Sequence, residues 1–220
     1  MISLFYGVPG AGKTTAMMDF VAQHALEQVF FVVDRAGEWS VGSPDHASSP
    51  NPRWRGADIP ISVVEPDSVP DEWEPGVYLF QYPWEGIEVA ELARSVGNVT
   101  YVDDEIDLVA VYKGWESSPL RDFVHRGRHL PNANGDICEV HILGAARRPQ
   151  SLHTDLTAMA DQAMIFRVQG YRTLKRLVDD SYVEETDWDE IRTLPNFEYF
   201  LWRSNGTIVR GEVSNPFAPK

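Results

Sequence analysis

The run GVPGAGKTT at 7–15 fits the pattern G-x-x-x-x-G-K-T. A short apolar segment precedes it and helical spacing follows it, which is the context such a loop needs. The small residues Gly7, Gly10, Ala11 and Gly12, with Pro9, let successive backbone amides turn inward as an anion nest. A helix opening at Lys13 adds the partial positive charge of its N-terminus. Lys13 would reach the β- and γ-phosphates of ATP, the Thr14 hydroxyl would ligate Mg²⁺, and Thr15 completes the binding segment. The plain structural alternative is a chance glycine-rich turn, and agreement of spacing with context argues against it.

A second chemical feature is VTYVDDE at 99–105. An apolar strand that ends in acids brings carboxylates beside the phosphate loop of a parallel sheet. One aspartate then serves the metal, and a following glutamate polarises the attacking water. Asp104 with Glu105 makes the commoner acid pair, so Asp104 is favoured for Mg²⁺ and Glu105 for the base. Asp103 remains the alternative metal acid, because it follows four mainly apolar residues directly. A helix cap built from the three acids is the non-catalytic reading.

Two further stretches carry charge at expected strand ends. FFVVDRAGEW at 30–39 places Asp34 and Glu38 either near a nucleotide or in a simple turn at Gly37. Between 121 and 176 lie nine of the chain's 19 Lys+Arg residues. Arg126 and Arg128 end a basic helix, and Arg147 follows a buried strand. Any of the three could neutralise charge on a transferring phosphoryl group, in cis or from a neighbouring subunit. A solvated or salt-bridged arginine is the competing reading for each. His125, His129, His141 and His153 are not at metal-ligand spacing.

The elements that must hold these groups read as short apolar strands alternating with helices. Strands are expected at 2–6, 29–33, 61–64, 77–81, 99–102, 140–145 and 163–168. Helices are expected at 13–28, 85–95, 119–130, 153–161 and 171–178. That alternation means an α/β fold with a mainly parallel sheet flanked by helices. Strand candidates at 197–202 and 207–213, split by Asn205-Gly206, read as a C-terminal β-hairpin. The segment 35–60, rich in Gly, Ser, Pro and Asn, reads as a long surface loop.

The 220 residues fit one domain, with a core at about 2–168 and a C-terminal appendage at about 169–220. Hydrophobic residues make up 43%, enough for a real core. The single Cys138 excludes an internal disulfide and fits a reducing compartment. No stretch approaches the roughly 18 apolar residues of a membrane span, so a soluble, intracellular protein is expected. A net charge of −14 repels nucleic acid over most of the surface, so any DNA contact must be local, as in a channel lining.

Together these residues resemble the FtsK–HerA superfamily of DNA-pumping ATPases. VVDRAGEW is similar to that group's strand-two signature, Asp followed by Gly-Glu-aromatic. Beyond the acidic strand end, a Gly-Arg-His run and then Leu-Gly-Ala-Ala-Arg-Arg-Pro resembles the group's Gly-Ile-His and Ala-Thr-Gln-Arg-Pro. The likeness covers about residues 2–168. Arg147 stands where the group's polar sensor is typically Gln, and with the chain's size this points to the genome-packaging ATPases of tailless icosahedral viruses with an internal membrane. The resemblance implies a RecA-like P-loop ATPase that binds ATP and Mg²⁺. It also implies a homo-oligomeric ring, expected to be a hexamer, moving double-stranded DNA without sequence preference. Such a protein would work in the host cytoplasm or at a virion packaging vertex, against a capsid or membrane protein. A filamentous-phage-type or plasmid-transfer ATPase, and a nucleotide-binding regulator without motor activity, are the rivals.

Overall fold

The computed structural model of the chain describes residues 1–40, 42–43, 46–50, 54, 58–127 and 129–215. Nine strands form the main sheet: β1 (Ile2–Tyr6), β2 (Val29–Val33), β3 (Ile61–Val63), β4 (Gly76–Phe80), β5 (Val99–Asp103), β6 (Val140–Ala146), β7 (Gln162–Ile165), β8 (Glu198–Arg203) and β9 (Ile208–Glu212). Their order is β9-β8-β7-β1-β6-β5-β2-β4-β3. From β7 to β3 every neighbouring pair is parallel, while β8 and β9 pair antiparallel. β6 therefore lies between β1, which carries the glycine loop, and β5, which carries the acids.

The central strands are apolar throughout because both faces are covered. Alternate side chains along each strand serve opposite layers. Phe5, Phe30, Val32, Val102 and Leu143 pack with Met17, Met18 and Val21 of α1 (Lys13–His24). Leu4, Tyr6, Phe31, Tyr101 and Ile142 face the other layer. That layer contains α2 (Gly86–Val96), α3 (Pro119–Arg126), α4 (Thr154–Ala158), α5 (Tyr171–Asp179) and α6 (Trp188–Thr193). Leu174, Leu177, Ile191 and Leu194 from the C-terminal segment belong to the same core cluster as β1 and β6.

Several expected bounds shift. The first helix stops at His24 rather than near 28, and α3 stops at Arg126. The 153–161 helix shrinks to Thr154–Ala158, capped by the His153 side chain on the Asp155 amide. α6 leaves no mark in the sequence pattern, because at six residues it is too short to show a period. The 35–60 segment is not all loop: Gly42–Ser43 and His46–Pro50 pair as a short antiparallel ladder. The buried Trp39 and Trp54 meet edge-on at 5.8 Å, and the Trp54 indole donates to the Trp39 carbonyl at 3.0 Å. Among the described residues no helix is long and apolar enough to cross a membrane.

One close approach matters for the site. Gly144, near the middle of β6, faces Ile106, which follows Glu105. A Cβ on Gly144 would lie 2.5 Å from the Ile106 Cδ1. Ile106 is fully buried, and its Cγ2 would lie 2.9 Å and its Cβ 3.1 Å from the same point, so the whole side chain would have to shift. Gly144→Ala should therefore lower stability by about 1–3 kcal/mol, the usual cost of overpacking, read as a fall in the urea midpoint. The two sites should couple: in an Ile106→Ala background, Gly144→Ala should cost less than it does in the wild type.

Candidate functional site

A cavity opens at the C-terminal ends of the parallel strands, where ligands gather in open α/β sheets. Its floor is the loop after β1. Gly12 takes φ +117, a left-handed value that favours glycine, and there Phe197 and Phe166 fill the space a side chain would need. No side chain caps α1, so its first amides stay free for an anion. Pro9, Gly10, Gly12, Lys13, Thr14 and Thr15 line the cavity. Gly7 and Ala11 shape the loop from behind: a Cβ on Gly7 would sit 2.9 Å from Phe166, and Ala11 is fully buried.

The Lys13 ammonium donates to the carbonyls of Gly7 at 2.9 Å and Val8 at 3.3 Å. Burial pulls its pKa below the ordinary lysine value, and the nearby Asp104 opposes that shift. The Thr14 hydroxyl donates to Asp104 Oδ2 at 2.5 Å. Burial pushes the Asp104 carboxyl up to about 7, against the Thr14 hydrogen bond and the Lys13 charge. Thr14 and Asp104 thus offer two adjacent hard oxygens. That suits Mg²⁺, which takes few protein ligands and completes its shell with water and phosphate. Among the described residues no cluster of three or more His, Cys, Asp or Glu could cage a metal unaided.

Asp103 is engaged elsewhere. It is fully buried and forms a two-pronged ion pair with Arg35, in which Nη2 meets Oδ2 at 2.9 Å and Nη1 meets Oδ1. The Tyr101 hydroxyl donates to Asp103 Oδ2 at 2.9 Å, and the Glu105 amide donates to Oδ1 at 2.9 Å. With both oxygens occupied, Asp103 braces the acid strand end, whereas Asp104 is the acid that touches the loop threonine.

Glu105 lines the cavity and is ion-paired with Arg147, which follows β6. Arg126 stands apart: it is exposed at the end of α3, and the next carbonyl, Gly127, accepts from the amide of Val140, the first residue of β6. That is the opposite end of β6 from Arg147. Arg128 lies outside the described residues. Asp34 is buried and accepts from Gln81 at 2.9 Å, Ser40 at 3.4 Å and the Trp39 amide at 3.3 Å, so it folds the segment after β2 over the site. Glu38 lines the cavity as well.

Arg35, Trp39 and Phe197 also line the cavity and had no assigned role in the sequence. Arg35 and Trp39 sit inside the VVDRAGEW run, where Trp39 is the aromatic of the signature and Arg35 carries no mark of its own. Phe197 gave no signal, because some 180 residues of chain separate it from the loop it touches.

The raised Asp104 pKa has a measurable consequence. Below about pH 7 the carboxyl is protonated, and a bound cation favours the ionised form. Mg²⁺–nucleotide binding should therefore release a proton below that pH, and affinity should climb with pH and level off above it. Calorimetry in buffers of different ionisation enthalpy would measure the release. Asp104→Asn should remove it.

No protein-family model and no curated protein matches the chain. Solved structures do match. The genome-packaging NTPase B204 of Sulfolobus turreted icosahedral virus 2, in complex with AMPPCP, is 15% identical with a TM-score of 0.67, over 96% of both chains. B204, the DNA-packaging ATPase of Sulfolobus turreted icosahedral virus, is 15% identical with a TM-score of 0.67, over 97% of this chain and 98% of that one. The cytoplasmic domain of the Thermomonospora curvata type VII secretion ATPase EccC is 13% identical with a TM-score of 0.54, over 96% of this chain but 24% of its own. From the glycine loop to the C-terminal hairpin, this chain has the P-loop NTPase fold seen in the B204 packaging ATPase.

Proposed function

We propose that the chain is an ATP hydrolase that drives double-stranded DNA movement as one subunit of a viral genome-packaging motor. The observation that carries this reading is the meeting of Thr14 with Asp104, and of Glu105 with Arg147, over a glycine loop. The shared fold with the packaging ATPase B204 supports the biological setting.

In the proposed mechanism the loop amides and Lys13 hold the β- and γ-phosphates. Thr14 and Asp104 would hold Mg²⁺, which would neutralise charge on the phosphate oxygens. Glu105 takes a proton from the attacking water as its oxygen bonds to the γ-phosphorus, and the bond to the β–γ bridging oxygen breaks. Arg147 exchanges its Glu105 partner for the γ-phosphate, which frees the carboxylate for that proton. A homo-oligomeric ring, proposed as a hexamer, would gather local basic surface around the DNA, as the acidic chain requires. Arg126 and Arg128 are the candidates for an arginine supplied in trans.

Lys13→Ala should abolish nucleotide binding and turnover. Glu105→Gln should keep binding and slow hydrolysis by about 10²-fold or more, the scale of a lost general base. Duplex DNA should stimulate turnover by the wild type, and the effect should fade as salt rises. An ATPase indifferent to duplex DNA at low salt would retain the hydrolase and remove the motor.

The Arg147–Glu105 pair lies within one chain, which supports action in cis. Mixing Arg147→Ala with Lys13→Ala subunits should then restore no activity. Partial rescue would move Arg147 to a neighbour's site.

A further inference from the structure

On the reading that this cavity takes ATP, we propose that Phe197, carried in by the C-terminal hairpin, is the platform on which the nucleobase stacks. The charged groups of the site stand on one side of β1: Arg147 after β6, Asp104 and Glu105 after β5, Arg35 and Glu38 after β2. That side must face the γ-phosphate, where charge develops. A triphosphate laid along the loop leaves it toward the opposite side, where β7 and β8 lie. Phe197, at the entry to β8, is the aromatic lining residue on that side.

Phe197 is held in place rather than loosely apposed. Its amide donates to the Ala11 carbonyl at 2.7 Å, which ties it to the glycine loop itself. Its own carbonyl accepts from the Val213 amide at 2.8 Å, just beyond β9. Its φ is +71, a left-handed value uncommon for an aromatic residue and sustained only where the surroundings impose it. The ring lies against Gly12, where a Cβ would be 3.0 Å from the Phe197 Cδ1. Next in the strand, Tyr199 packs on Phe166 at 5.4 Å between ring centres, and Arg210 of β9 pairs with Glu198 and Glu190. Phe197 is only partly buried and lines the cavity. A flat π-face of this kind binds a base by stacking and needs no hydrogen bond to the base edge.

The test compares ATP with inorganic tripolyphosphate, both with Mg²⁺, by calorimetry on the full chain. Phe197→Ala and Phe197→Leu should weaken ATP binding by about tenfold or more, the scale of one lost base–aromatic stack. Tripolyphosphate binding should stay within about twofold of wild type, because its contacts are with the loop. Phe197→Trp should retain ATP affinity. The leucine variant keeps the apolar bulk against Gly12, so it remains informative if the alanine variant folds poorly. Unchanged ATP affinity in the leucine variant would overturn the proposal. So would an equal loss of tripolyphosphate, which would make Phe197 a prop for the loop. Failure of the wild type to bind either ligand would instead remove the nucleotide-site reading, and the platform with it.

Discussion

The ion pair between Arg35 and Asp103 holds the site together. Asp103 ends β5 and Arg35 follows β2, the neighbouring strand, so the pair clamps two loops that meet over the cavity. A buried carboxylate needs such a partner, because an unpaired charge in the interior costs several kcal/mol. The same carboxylate receives the Glu105 amide and the Tyr101 hydroxyl. The position of Glu105 is therefore set by a group that is itself fixed on two sides. Gly86 shows how tightly the pair is enclosed, since a Cβ there would meet an Arg35 nitrogen at 2.5 Å.

Around this clamp the cavity keeps opposite charges close without collapsing them. Lys13 rests on loop carbonyls, Asp104 on the Thr14 hydroxyl, and Glu105 on Arg147. Each contact is one that phosphate oxygens or a divalent cation can replace. Burial shifts both Lys13 and Asp104 toward their neutral forms, so the site gains when a ligand of the opposite charge arrives. In a chain of net charge −14, three of the cationic side chains converge on this one cavity. They stand there beside four acids, Asp34, Glu38, Asp104 and Glu105, so the cavity holds charges of both signs at close range.

Much of this was legible in the amino-acid order. The glycine loop announces itself because its requirements are local: left-handed or crowded positions for glycine, then a lysine at the start of a helix. The parallel sheet was readable because strands buried on both faces leave continuous apolar runs, as in VFFVV and VHILGAA. The hairpin was readable because Asn-Gly between two such runs suits a tight turn, and Gly206 takes φ +82 there. Short elements such as α6 were not legible, since one and a half turns show no period.

What the sequence by itself determined is the inventory: a glycine loop, an acid-ended strand, an arginine after a buried strand, and an α/β frame to carry them. It left Asp103 and Asp104 as rivals, because adjacent residues of one kind differ only in which way the strand end turns them. In the tertiary structure Asp103 pairs with Arg35 and Asp104 accepts from Thr14. The fold also separated Arg147 from Arg126, which share a residue type but stand at opposite ends of β6. And it brought Phe197 to a loop far away in the chain. Such pairings are decided by sheet order and register, which are long-range properties that no local window of sequence contains.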